Sequence, residues 1–203
     1  MVILILLIIL ISYFLGCIPV PYLVCTLLFK TDKRTAAGIR TYPQVQKNCG
    51  WAGVGAVLAA DLIRALVIVF LGGLLLKGAG FPGVGRRLAL FFAVLGQAMP
   101  FTEGLRGRQI LVFPALLLLF VDWRLFIIAL VVFLIVYLPT KRVSLSALAA
   151  AVSYPLFSII FGAWWLQVLL ALLAAAALVL PYRASLAKFF SGLKKGKAQQ
   201  EDA

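Results

Sequence analysis

Histidine is absent from these 203 residues, Asp and Glu together number six, and cysteine occurs three times. The first absence removes the side chain most often used for proton transfer near neutral pH, and with it a principal zinc ligand. The few carboxylates are scattered, so no metal site and no cofactor is expected. An odd cysteine count, with Cys17 and Cys25 in or beside the first apolar run, implies no disulfide framework, and both read as packing residues. A net charge of +13 raises the question of nucleic acid. No basic amphipathic helix or aromatic-interleaved soluble segment is present to form a groove for it, so no nucleic-acid partner is expected. No basic segment precedes Val2 and no clear small-residue cleavage site follows, so the first apolar run is expected to be a mature helix rather than a signal peptide.

What the chain has is apolar length. At 65% hydrophobic and 12% charged residues it carries more apolar surface than a soluble core of this size could hide. A bilayer core of roughly 30 Å asks for about 20 apolar residues per helix. The runs Val2 to Phe29 and Trp51 to Leu76 meet that length, whereas Leu88 to Phe101 is shorter and needs tilt or local thinning. Asp122, Trp123 and Arg124 interrupt Ile110 to Pro139, predicting two short helices, and Val143 to Pro181 is split near Gly162. The expectation is an all-α, polytopic membrane bundle of about seven transmembrane helices: one domain over 1–182 and a basic tail over 183–203.

Basic residues set orientation through the short loops. Five lie in the first loop (Lys30, Lys33, Arg34, Arg40, Lys47), two in the third (Arg106, Arg108), two in the fifth (Lys141, Arg142) and five in the tail. The other side holds only Lys77, Arg86, Arg87 and Arg124. The C-terminus is therefore expected in the cytoplasm and the N-terminus outside. Tail residues such as Lys194, Lys195 and Lys197 suit anionic lipid headgroups, at about 1 kcal/mol each.

Three segments carry polar chemistry inside this apolar frame. Gly16-Cys17-Ile18-Pro19-Val20-Pro21-Tyr22 places a glycine and two prolines within a span; it is either an ordinary kink or broken backbone lining a cavity. Asp61 and Arg64 stand three apart on one helix face, able to pair, as a structural ion pair or as a substrate contact. Gly96-Gln97-Ala98-Met99-Pro100 leads into Phe101 to Gln109, a glycine-punctuated loop in which Arg106 and Arg108 flank Gly107. Glycine permits close backbone approach, and guanidinium groups grip phosphate oxygens in pairs.

In these segments the chain resembles the bacterial acyl-phosphate:glycerol-3-phosphate acyltransferases, small seven-helix membrane enzymes of phospholipid synthesis. Gly16 to Tyr22 resembles the family's Gly-Ser-x-Pro-x-Gly-Tyr, with Cys17 for the serine and Pro21 for the second glycine. Asp61-Leu62-Ile63-Arg64 resembles its Asp-Leu-x-Lys. Gly96 to Pro100 and Leu105 to Ile110 are similar to its Gly-His-x-Phe-Pro and Phe-Lys-Gly-Gly-Lys-Gly. Lys141 to Ser146 resembles its Arg-Tyr-Val-Ser-Leu-Ala, and Arg183 stands where the family has His-Arg-Glu-Asn. The resemblance implies acyl phosphate and glycerol 3-phosphate as substrates, lysophosphatidic acid as product, and a phosphate site of Gly38, Lys47, Arg106, Gly107, Arg108 and Lys141. Gly16, Pro19, Asp61, Arg64, Gly96, Gln97 and Pro100 would line it.

The departures fall where the chemistry should be. The family's central Gly-Ser-Gly-Asn-x-Gly-Ala-Thr-Asn loop aligns with Ala36 to Gln44, where only Gly38 survives, and the third motif's histidine is Gln97. Cations for phosphate are retained, while hydroxyl, amide and proton-transfer groups are mostly lost, and no general base can be named. Loss of such a base typically costs roughly 10²- to 10⁴-fold. Three readings stay open from the sequence: a divergent working acyltransferase, a non-catalytic lipid- or phosphate-binding homologue, and an unrelated small-solute transporter. The last would show inverted repeats with paired broken helices, and none is found. Oligomeric state is not legible.

Overall fold

The computed structural model describes residues 1–39, 41–101, 111–162 and 165–179, all helix and connections. Among them run α1 (Val2–Cys17), α2 (Val20–Leu27), α3 (Lys33–Ala37), α4 (Tyr42–Lys77), α5 (Pro82–Ala98), α6 (Val112–Val121), α7 (Trp123–Thr140), α8 (Val143–Ile160) and α9 (Trp165–Val179). With α1 and α2 taken as one bent span and the five-residue α3 set aside, seven apolar helical segments remain. The proposed tail, Arg183, and the loop bearing Arg106, Gly107 and Arg108 lie outside the described residues.

The local chemistry explains the breaks. A residue before proline is pushed out of helical conformation, and Ile18, ahead of Pro19, is extended at φ −61°, ψ 123°. Pro21 then sits in the first turn of α2, where its missing N–H costs nothing. The first apolar run is therefore two helices bent by 53°. Asp122 separates α6 from α7 by accepting the backbone N–H of Arg124 at 3.2 Å, as an N-cap does. Gly162, at φ +69°, turns the chain between α8 and α9.

Two boundaries differ from the sequence expectation. The third span begins at Pro82, not Leu88, so Arg86 and Arg87 are helical. They are accommodated because the Arg86 side chain lies over bare Gly73 and Arg87 reaches Asp122 at 3.9 Å. The first loop is also not all loop: it holds α3, and its last part belongs to α4, so Lys47 is helical.

Helix α5 is the hub, packed on α1, α4, α6 and α9. Close packing there uses small residues, as it does where lipid offers no hydrophobic drive between helices. A Cβ on Gly16 would meet the Ala93 carbonyl, one on Gly96 the Tyr13 carbonyl, and one on Gly85 the Gly72 carbonyl. The side chains facing outward are large and apolar, Leu134, Ile135 and Leu138 on α7 among them. Helices α4 and α7, and the bent α1–α2 pair, are long and apolar enough to cross a membrane.

Candidate functional site

Gly50 organises the interior. At φ 68°, ψ −170° it is non-helical inside α4, in a region open essentially to glycine alone. Residues 42–49 and 51–77 are thus two arms. In a straight helix Tyr42 and Asp61 would stand about 28 Å apart, yet the Tyr42 hydroxyl donates to Asp61 Oδ2 at 3.0 Å. The short arm is folded back along the long one. Val45 and Val57 pack between the arms with Val20, Val24, Cys25 and Ile39. The segment after α2 therefore re-enters the bundle to a depth set by Asp61, about 15 Å along the helix from Trp51.

At that depth the polar groups satisfy one another. Asp61 Oδ1 pairs with Arg64 Nη2 at 2.8 Å, the side chains being 1% and 9% exposed. Arg64 Nη1 donates to the carbonyls of Ile18 at 2.9 Å and Leu15 at 3.2 Å. These are carbonyls the Pro19 break removes from the regular helical ladder, and a cation at a helix C-terminus also meets its dipole favourably. The guanidinium carbon lies 3.6 Å from the centroid of the Phe113 ring on α6. Of the two readings left open for Asp61 and Arg64, this geometry supports the structural one, in which the pair holds α1, α2, α4 and α6 around the break.

Gly96 and Gly16 mark where α5 crosses α1, with Gln97 buried beside them. Tyr13 donates its hydroxyl to the Met99 carbonyl at 3.0 Å, and Pro100, fully buried, ends the helix. The third motif thus starts from a fixed point against the broken first span. Gly38 is exposed and caps α3 in ordinary right-handed conformation. Lys47 is exposed on the short arm, and Lys141, at φ 49°, is exposed where α7 ends. The described residues thus bring Gly16 to Gly96 and Asp61 to Arg64, and leave Gly38, Lys47 and Lys141 at the surface.

In the central segment several described backbone donors are engaged. The N–H of Ala36 donates to Asp32 at 2.8 Å, that of Gly38 to Thr35 at 3.1 Å and that of Ile39 to Ala36 at 3.0 Å. Sequence reasoning missed Tyr42 and Phe113 as partners of the ion pair, since neither sits at helical spacing from it. It also missed an apolar cavity of about 280 Å³ between α5, α6, α7, α8 and α9. One end is lined by Leu111, Ala147 and Leu178, where α6 and α8 begin and α9 ends, and the other by Leu90, Leu118 and Tyr154.

Comparison with known proteins bears on this arrangement. A model of the family described as glycerol-3-phosphate acyltransferase matches residues 6–192. The glycerol-3-phosphate acyltransferase 1 of Lactobacillus johnsonii is 31% identical over 205 residues, covering 92% of this chain and 88% of that protein. The corresponding protein of Syntrophomonas wolfei is 26% identical over 185 residues, covering 89% and 90%. The crystal structure of PlsY (YgiH), an integral membrane glycerol 3-phosphate acyltransferase, in its lysophosphatidic acid form shares the fold. Its TM-score is 0.73 over 93% of this chain and 92% of that one, at 19% identity.

Proposed function

The chain belongs to the glycerol-3-phosphate acyltransferase family, and from that premise we propose that this multi-pass membrane protein moves a fatty acyl group from an acyl phosphate to glycerol 3-phosphate. The glycerol hydroxyl oxygen bonds to the acyl carbon as the bond from that carbon to the phosphate oxygen breaks, the hydroxyl proton ends on the departing phosphate, and inorganic phosphate and lysophosphatidic acid leave. The observation that carries this reading is the apolar cavity whose lining reaches Leu111 and Ala147, beside the starts of α6 and α8. An acyl chain occupies it, and the attached phosphate lies at its mouth with Arg106, Gly107, Arg108 and Lys141. Gly38, at the end of α3, and Lys47, on the short arm of α4, are assigned to the same phosphate site, on the cytoplasmic side, with the N-terminus outside. The leaving group is already good, so proximity and charge neutralisation supply most of what the reaction needs.

A second reading has its own support. The engaged N–H groups of Ala36, Gly38 and Ile39 leave the central segment poorer in phosphate donors, and Gln97 cannot take a proton at neutral pH. Both favour a homologue that binds acyl phosphate without turning it over. Phosphate release from a long-chain acyl phosphate by the purified protein, with and without glycerol 3-phosphate, separates the two. Release dependent on glycerol 3-phosphate supports the transferase. Saturable acyl-phosphate binding without release supports the binding protein.

A further inference from the structure

Cys25, near the end of α2, and Cys49, the last residue before the Gly50 break, face each other with their sulfurs 2.8 Å apart. Disulfide sulfurs stand about 2.05 Å apart, so closure asks for roughly 0.8 Å of approach. The two thiols differ in access. Cys25 is fully buried, whereas Cys49 is half-buried with the Thr31 hydroxyl 3.7 Å from its sulfur. Between them in sequence lies the whole re-entrant segment, with Lys30, Gly38, Tyr42 and Lys47. A bond here would tie the two ends of that segment together at its base.

We propose that Cys25 and Cys49 form an oxidation site for hydroperoxides, with Cys49 the thiol that reacts first and Cys25 the one that resolves it. Cys49 sulfur bonds to one peroxide oxygen as the O–O bond breaks, giving a sulfenic acid and one molecule of water. The Cys25 sulfur then attacks the Cys49 sulfur; the S–O bond breaks and the departing hydroxide takes the Cys25 proton as a second water. Two thiols are oxidised by two electrons and one hydrogen peroxide is reduced to two waters. A dithiol reductant reverses the step. Cys17, buried in the first span, is the internal control.

The test is a thiol count on the full-length protein purified in detergent, treated with hydrogen peroxide and then alkylated after unfolding. The expected result is one alkylated cysteine, Cys17, with a peptide linking Cys25 to Cys49, and three alkylated cysteines after dithiothreitol. Two variants check the order of events. Cys25→Ser should accumulate a sulfenic acid on Cys49 that dimedone captures, and Cys49→Ser should leave Cys25 as the free thiol. Three free thiols after peroxide, a link through Cys17, or dimedone capture at Cys25 in Cys49→Ser would each overturn the proposal. None of these readouts depends on acyl transfer, so the site stands or falls apart from the proposed activity.

Discussion

Arg64 donates to the carbonyl of Ile18 at 2.9 Å, joining residues 46 positions apart at the point where Pro19 breaks the first span. The charge this brings into the bundle is answered by Asp61 at 2.8 Å, and Asp61 in turn accepts from Tyr42. A proline break, a buried ion pair and a re-entrant segment are thereby one network rather than three features.

Removing one partner of that network should cost more than removing both. Arg64→Met leaves Asp61 buried without its cation, a change that typically costs about 3–5 kcal/mol. Asp61→Asn with Arg64→Met removes both charges and leaves chiefly carbonyls short of donors, about 1–3 kcal/mol. Thermal unfolding in detergent reads the comparison. Strictly additive losses in the double variant would show that the pair is not coupled.

The glycine crossing of α1 and α5 gives a steric prediction. Gly16→Ala and Gly96→Ala each push a methyl group into backbone carbonyls of the facing helix, where no flexible side chain can yield, and each should lose about 1–3 kcal/mol. At Gly78, by contrast, a Cβ meets nothing within 4 Å among the described residues and the backbone is helical. Gly78→Ala should stay within about 0.5 kcal/mol of the parent. Equal behaviour of the three in thermal unfolding would contradict the close crossing.

Gly50 poses a conformational question instead of a steric one. Among the described residues nothing lies within 4 Å of its would-be Cβ, so the cost of Gly50→Ala comes from backbone strain, about 1–3 kcal/mol. Relief of that strain straightens the break and pulls Tyr42 from Asp61. Limited trypsin digestion should then cut faster at Lys47, on the short arm, than in Tyr42→Phe, which loses one hydrogen bond but keeps the fold-back. Unchanged cleavage at Lys47 in Gly50→Ala would count against the two-arm description.

These relationships also mark what could be read from sequence. Hydropathy marks the apolar segments, the prolines mark Gly16 to Tyr22 as a kink or a break without choosing between them, and three-residue spacing allows the Asp61–Arg64 pair. Each of those signals is local. Tyr42 reaches Asp61 only because Gly50 reverses the chain, and a single glycine in an apolar run does not announce its φ. Charge alone places Arg86 and Arg87 in a loop, because it argues against a span. Gly73 and Asp122, which make them tolerable in a helix, come from other parts of the fold. The meeting of Cys25 with Cys49 likewise depends on how α2 packs against the short arm of α4. The motif loop at Arg106 lies outside the described residues, so its place in the site rests on the sequence and the family.

The cavity makes the proposed activity testable by chain length. Ala147, Ala151 and Tyr154 line it from the first turns of α8 inward, a depth of about 10 Å along the helix axis. Ala151 sits between Ala147 and Tyr154 along α8, so Ala151→Phe fills empty space and blocks the half of the cavity beyond it without touching the proposed phosphate site. Chains that need that half should be excluded, while short chains bind at the mouth as before. Phosphate release, or acyl-phosphate binding if no release occurs, should fall about tenfold or more for long-chain substrates and change little for short ones. An equal loss at every chain length would mean that the substitution disturbs the fold or that acyl chains bind elsewhere. Intact thermal unfolding with uniform loss would leave only the second, and the cavity would then have no part in substrate binding.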